Sequence, residues 1–137
     1  MDDDRDFLEW FQTTWHDGEV ALHNGDAGPR DQTTWSRTEP VTLFGAWLSA
    51  RSSEEARAVF RTIADAFSHA EEGGIELIAH GVSGDLAYTV HRELTTTSVN
   101  GEPREYVLRT TQVYRREDGT WKVVHRHADN EDTVDGP

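Results

Sequence analysis

The sequence predicts an α+β domain in which helices cover one face of an antiparallel sheet, and two observations carry that prediction. Before Gly73-Gly74, two runs place apolar residues at spacings of three and four; after it, the chain alternates with a period of two between turn signals. In addition, Asp118-Gly119 stands between two alternating runs, the strongest short-range hairpin signal, because a two-residue type I′ turn needs positive φ at both central positions. Helices first and a meander after them give the α+β class.

Each element follows in order. Over residues 4–22, Phe7, Trp10, Phe11, Trp15 and Leu22 mark an amphipathic helix whose aromatic stripe covers the sheet. The turn-rich run His23-Asn24-Gly25-Asp26-Ala27-Gly28-Pro29 ends it. A loop or short helical turn carries Trp35, and residues 41–47, after Pro40, read as a short strand interrupted by Gly45. Ser52 and Glu55 stand at capping-box spacing and open a second helix with the apolar face Ala56, Val59, Phe60, Ile63, Ala64 and Phe67, stopped by Gly73-Gly74. Four strands follow: 75–82, 86–97 after the turn near Ser83-Gly84-Asp85, then the two strands of the last hairpin after Asn100-Gly101.

The turns set a register. With Asp118-Gly119 central, Arg116 faces Trp121, Tyr114 faces Val123, Gln112 faces His125 and Thr110 faces His127. A two-residue turn at Asn100-Gly101 sets Glu93 against Leu108, His91 against Thr110 and Thr89 against Gln112, and an even-length turn at Gly84 adds His80. One face then carries His80, Thr89, His91, Glu93, Thr110, Gln112, Tyr114, Trp121, His125 and His127, and is expected to line a pocket. The other carries Leu86, Tyr88, Val90, Leu94, Val107, Thr111, Val113 and Val124 with Arg92, Arg109 and Arg126, and is expected to form a homodimer through the sheet.

A chain of 137 residues fits one domain, residues 1–137, with flexible ends at about 1–4 and 130–137. Its charge of −13, from 26 acidic residues against 13 Lys and Arg, argues against nucleic acid or an anionic membrane as partner. The absence of cysteine excludes disulfides and thiolate metal sites. With no signal-like segment and no membrane-length apolar run, a cytoplasmic protein is expected. Glycine-rich phosphate loops are missing, so no nucleotide is expected; the lack of a nucleophile elbow argues against covalent catalysis by Ser or Thr, and no cofactor is assigned.

The run from Val41-Thr-Leu-Phe-Gly through the second helix, then Gly84-Asp85-Leu86-Ala87-Tyr88, Glu93, Leu108-Arg109-x-Thr111 and Tyr114 to His127, resembles small stand-alone members of the nuclear transport factor 2-like (NTF2-like) superfamily. More narrowly it resembles the SnoaL-like group and the association-domain-like proteins, over nearly the whole chain. The resemblance implies a cystatin-like cone: a strongly curved antiparallel sheet wrapped against N-terminal helices, with a pocket on its concave side and frequent dimerisation through the sheet. Two pocket arginines of the association-domain relatives fall where this chain has Glu93 and Gln112, so carboxylate binding is not carried over. Ketosteroid isomerase, polyketide cyclases, dehydratases and epoxide hydrolases share the fold but place their acids and bases differently, and fold alone assigns none of these reactions.

The candidate catalytic residues are Glu93, His91 and His127: a carboxylate raised in pKa by an apolar cavity can act as a general base, with His91, His127 or Tyr114 polarising a carbonyl. The plainer alternative has Glu93 in a salt bridge with a neighbouring arginine or histidine. Trp35, Phe44, Trp47, His80, Thr110, Gln112, Tyr114 and His125 are the expected ligand-binding residues. His125-x-His127 would need a third ligand such as His80, His91 or Glu93 to hold a metal, and no metal is assigned. Two readings follow. One is an enzyme performing general acid–base proton transfer of the isomerase, cyclase or dehydratase type on a small, mostly apolar substrate; the other is a noncatalytic ligand-binding or dimeric assembly domain.

Overall fold

The computed structural model describes residues 2–71 and 73–131. The first helical run is α1 (Asp2–Trp10), a π-helical segment Phe11–Trp15 and α2 (His16–Leu22). The π segment follows from the spacing of the aromatic stripe. Phe7, Phe11 and Trp15 lie four apart, and a wider turn keeps such residues on one line where the 3.6-residue turn would rotate them away. All three are buried, and the Phe11 and Trp15 rings stack at 4.8 Å and 11°.

A second π-helical turn, Arg30–Thr34, leads to β1 (Thr42–Phe44) and β2 (Ser49–Ala50), and α3 spans Ser53–Ala66. The Ser52 hydroxyl caps α3 by accepting from the Glu55 amide at 3.1 Å; the Glu55 carboxylate accepts instead from the Arg51 amide. The second helix ends earlier than the glycines predict: Phe67 and Ser68 leave it as a short strand, β3, paired with Val99 and Ser98.

β4 (Gly74–Ser83), β5 (Leu86–Val99), β6 (Glu102–Glu117) and β7 (Thr120–Asn130) form the expected meander. Positive φ at Asn100, Gly101, Asp118 and Gly119 makes both predicted two-residue turns. The sheet runs β2-β1-β7-β6-β5-β3, with β4 also on β5, and is mixed because β1 lies parallel to β7. Its helix-covered face packs on Phe7, Phe11, Trp15, Leu22 and Phe60 in one apolar cluster. Of the expected flexible ends, Asp2 to Asp4 are helical and Asn130 ends β7, while Met1 and residues 132–137 lie outside the described residues.

The β5–β6 register is the predicted one, with His91 on Thr110 and Glu93 on Leu108. The β6–β7 register begins as predicted, with Arg116 on Trp121 and Tyr114 on Val123, and then slips, so that Val113 meets His125, Gln112 meets Arg126 and Thr111 meets His127. Val124 is the extra residue of a β-bulge, and one extra residue turns every later side chain to the opposite face. Two corrections follow. His125 and His127 leave the pocket face for the outer face, and Arg126, expected outside, enters the core with 5 % exposure.

Candidate functional site

The inner face carries a closed ring of hydrogen bonds beneath the aromatic stripe. Arg126 Nη1 donates to Glu93 Oε2 at 2.7 Å and to Gln112 Oε1 at 2.9 Å, and Nη2 donates to Glu93 Oε1 at 2.8 Å. Glu93 Oε2 meets His91 Nε2 at 2.8 Å; His91 Nδ1 meets Thr89 Oγ1 at 3.1 Å; Thr89 Oγ1 meets Tyr114 Oη at 2.7 Å. Gln112 Nε2 donates to Tyr114 Oη at 2.6 Å and closes the circuit. With the His91 proton on Nε2, one direction satisfies every bond: Gln112 donates to Tyr114, Tyr114 to Thr89, Thr89 to His91 and His91 to Glu93. A fully connected network of this kind tolerates burial that isolated polar groups do not.

The ring holds Glu93 ionised. Burial alone would raise its pKa, but the Arg126 charge and hydrogen bonds, followed by those of His91, set it well below the usual carboxylate range. Burial in turn pushes the Tyr114 phenol far up. For Arg126, burial opposes the charge, yet Glu93 outweighs it and raises the pKa. The expectation of a raised carboxylate pKa is therefore overturned by the arginine that the bulge brings inside.

A cavity of about 440 Å³ opens beside this ring rather than over it. Leu43, Trp47, Val59, Ile63 and Leu108 supply apolar walls, and the polar lining includes His23, Arg30, Tyr106 and Arg126. Arg30 is buried, pairs with Glu19 through Nε at 2.9 Å and Nη2 at 2.6 Å, and lies over the Phe60 ring at 4.9 Å. Both buried arginines are thus neutralised by a bidentate carboxylate before any ligand arrives. Arg126 meets Glu93 with its end edge, Nη1 and Nη2, which leaves the side edge with Nε–H and the second Nη2–H unused among the described residues. Arg126 lines the cavity. Arg30 lines it too, and its Nη1 makes no hydrogen bond among the described residues.

The predicted site residues separate into four groups. His91, Glu93, Gln112 and Tyr114 belong to the ring, with His91, Gln112 and Tyr114 fully buried and none of the four lining the cavity; Thr110 is buried beside them with an unpartnered Oγ1. Trp47 alone among them lines the cavity, half-exposed at its mouth. Trp35 is buried against Phe60, and His80 ties β4 to α1 through Asp4 at 2.8 Å. His125 and His127 lie outside with Phe44 edge-on to both, and Thr42 Oγ1 bonds His125 Nδ1 at 2.7 Å. His127 and His125 are therefore removed from any joint site with Glu93. Sequence reasoning missed Arg126, Arg30, His23 and Tyr106. Arg126 was hidden by the bulge, and Arg30 and His23 sit in a turn-rich region where no period assigns a face.

A curved sheet covered by helices, with a cavity lined from both, fits the architecture of NTF2-like proteins. The model of the SnoaL-like domain matches residues 13–128, and the chain belongs to that family. Among solved structures it is similar to a proposed dehydratase of the NTF2-like family from Streptomyces avermitilis, with TM-score 0.72, 19% identity and coverage of 95% of this chain and 97% of that one. It is also similar to an NTF2-like superfamily protein from Salmonella enterica, with TM-score 0.69, 16% identity and coverage of 91% and 93%. A third is an uncharacterised protein with a cystatin-like fold from Caulobacter vibrioides, with TM-score 0.62, 13% identity and coverage of 85% and 84%. At these identities the likeness is one of fold. No curated protein matches the chain.

Proposed function

We propose that this chain binds a small, uncharged, mostly apolar molecule in the 440 Å³ cavity, with a carbonyl or hydroxyl oxygen against the unused donor edge of Arg126. The observation that carries this reading is the pairing of both buried arginines with carboxylates. A carboxylate ligand would have to compete with Glu19 and Glu93, each held at two points, whereas a neutral acceptor needs only the spare N–H groups. Glu93 serves here as the group that fixes Arg126, not as a base, since it is ionised and turned into the ring.

Thermal denaturation with carvone and with perillate, two cyclic terpenoids that differ mainly in bearing a ketone or a carboxylate, tests the reading. Carvone is expected to raise the melting temperature and perillate to leave it unchanged. Stabilisation by perillate alone, or by neither, overturns the proposal.

A homodimer through the outer sheet face is a second part of the proposal. Ile78, Leu86, Tyr88 and Leu94 are exposed there, and the nearby Arg92 and Arg109 are already paired with Glu76, Glu131 and Asp129, so an apolar surface remains for a second copy. Sedimentation velocity gives the oligomeric state directly, and a monomer at every concentration would refute it.

A further inference from the structure

We propose that two copies of this chain meet over His125 and His127 and stay together only while these imidazoles are neutral, so that acidification separates them. The inference rests on the dimer reading given above and adds its regulation.

The area of the outer face puts the histidines inside the contact. Ile78, Leu86, Tyr88 and Leu94 all stand on β4 and β5 and are 41–60 % exposed. Together they offer on the order of 400 Å², whereas each partner of a stable complex covers about 800 Å². The contact must therefore run on across β6 and β7. Tyr88 lies beside Val113 and Val113 beside His125, while Val90 lies beside Thr111 and Thr111 beside His127. On the far side of β7 stand Thr42, next to His125, and Phe44, next to His127. A two-fold contact of the same face with itself brings both histidines of each copy, four imidazoles in all, under one cover.

Neutral, these rings suit such a contact. Thr42 Oγ1 bonds His125 Nδ1 at 2.7 Å, and the Phe44 ring meets both imidazoles edge-on at 5.7 Å. Each presents an apolar body and a small polar tip.

Charged, they find little to hold them. β1 and β2 carry no charged residue. On β6 the neighbouring charges are Arg109 and Arg115, the latter tied to Glu117, and on β5 Arg92 is tied to Glu131 and to Glu76 of β4. On β7, Lys122 donates to the Thr33 carbonyl. Asp129, the carboxylate next to His127 on that face, accepts from Arg109 at 2.8 and 2.7 Å, and Arg109 lowers its pKa more than His127 does. Already in one copy, burial and then the charge of His127 lower the pKa of His125. A second copy removes the remaining water.

Contact thus favours the neutral imidazoles. Association is complete above the ordinary histidine pKa of about 6.5 and weakens as pH falls below it. A pKa lower by about 0.5 at each of four imidazoles raises Kd about 100-fold once the separated copies are protonated. The chain's charge of −13 works the other way, because acidification reduces it and with it the general repulsion between copies.

Sedimentation velocity at pH 8 and pH 5, with far-ultraviolet circular dichroism as a check of the fold, tests the switch. The Kd of the native chain is expected to rise about 100-fold at pH 5, and that of the variant His125→Gln with His127→Gln to stay unchanged. A native dimer that persists equally at pH 5, or a variant that dissociates as the native chain does, overturns the proposal and leaves the dimer reading standing. A monomer at both pH values removes the dimer reading and this inference with it. Should the variant fail to fold, or the native chain unfold at pH 5, NMR titration of the native imidazoles decides, at protein concentrations below and above Kd and over the pH range of the folded chain. Lower pKa values for His125 and His127 at the higher concentration support the switch; equal values refute it.

Discussion

Replacement of Arg126 by Met tests the bulge and the ring together. In the native protein Arg126 and Glu93 form a bidentate pair with 6 % side-chain exposure on each partner. Removing one member strands the other charge in the core, which costs about 3–5 kcal/mol, and Gln112 Oε1 loses a donor worth roughly a further 1 kcal/mol. Against a total stability on the order of 5–15 kcal/mol, this is severe and corresponds to a fall in melting temperature of about 10–20 °C. Urea denaturation at neutral pH of the wild type, Arg126→Met, Glu93→Gln and the double variant forms a double-mutant cycle. The double variant is expected to lose clearly less than the two single losses added together. A change in Arg126→Met of only about 0.5 kcal/mol, the scale of a surface substitution, would place Arg126 on the outer face and refute the bulge. The pH dependence has a definite sign. Glu93 is depressed in the folded state, so the unfolded chain takes up its proton first on acidification. Its contribution is complete above the ordinary glutamate range and is lost as pH falls toward the depressed native value. Arg126→Met should flatten that acid limb.

Three further outcomes are expected. Ser52→Ala removes the hydroxyl that accepts from the Glu55 amide and should cost about 1 kcal/mol in chemical denaturation with no change in carvone stabilisation. Trp47→Ala should change stability little, because the side chain is half-exposed, but reduce the carvone-induced shift in melting temperature, because it walls the cavity mouth. Tyr88→Asp sets a charge on the exposed outer face and should shift sedimentation from dimer to monomer while the far-ultraviolet circular dichroism stays native.

Much of the fold was legible because local chemistry governs it. Ser52 caps α3, the aromatic stripe of Phe7, Phe11 and Trp15 buries itself as its spacing requires, and Asn100-Gly101 and Asp118-Gly119 adopt the positive φ values their turn type demands. The β5–β6 register followed from its turn and correctly brought Thr89, His91, Glu93 and Gln112 to one face. Beyond Val123 the same reasoning failed. Val123 and Val124 are adjacent valines, and a bulge between them leaves no mark in the alternation, since either residue reads as an inward position.

The sequence by itself determined the α+β class, the order of helices and strands, the two type I′ turns and the polar character of the inner face, because caps, periods and turn residues act over a few neighbouring positions. Only the tertiary structure decided what that face is for. The single extra residue at Val124 exchanged His125 and His127 for Arg126, and Arg126 turned Glu93 from a potential base into an ionised clamp. Packing also placed His23, distant in sequence from every strand residue of the cavity, against the same space as Arg126. Such juxtapositions depend on how the sheet curves and where the helices cross it, which are sums over the whole chain that no local pattern records.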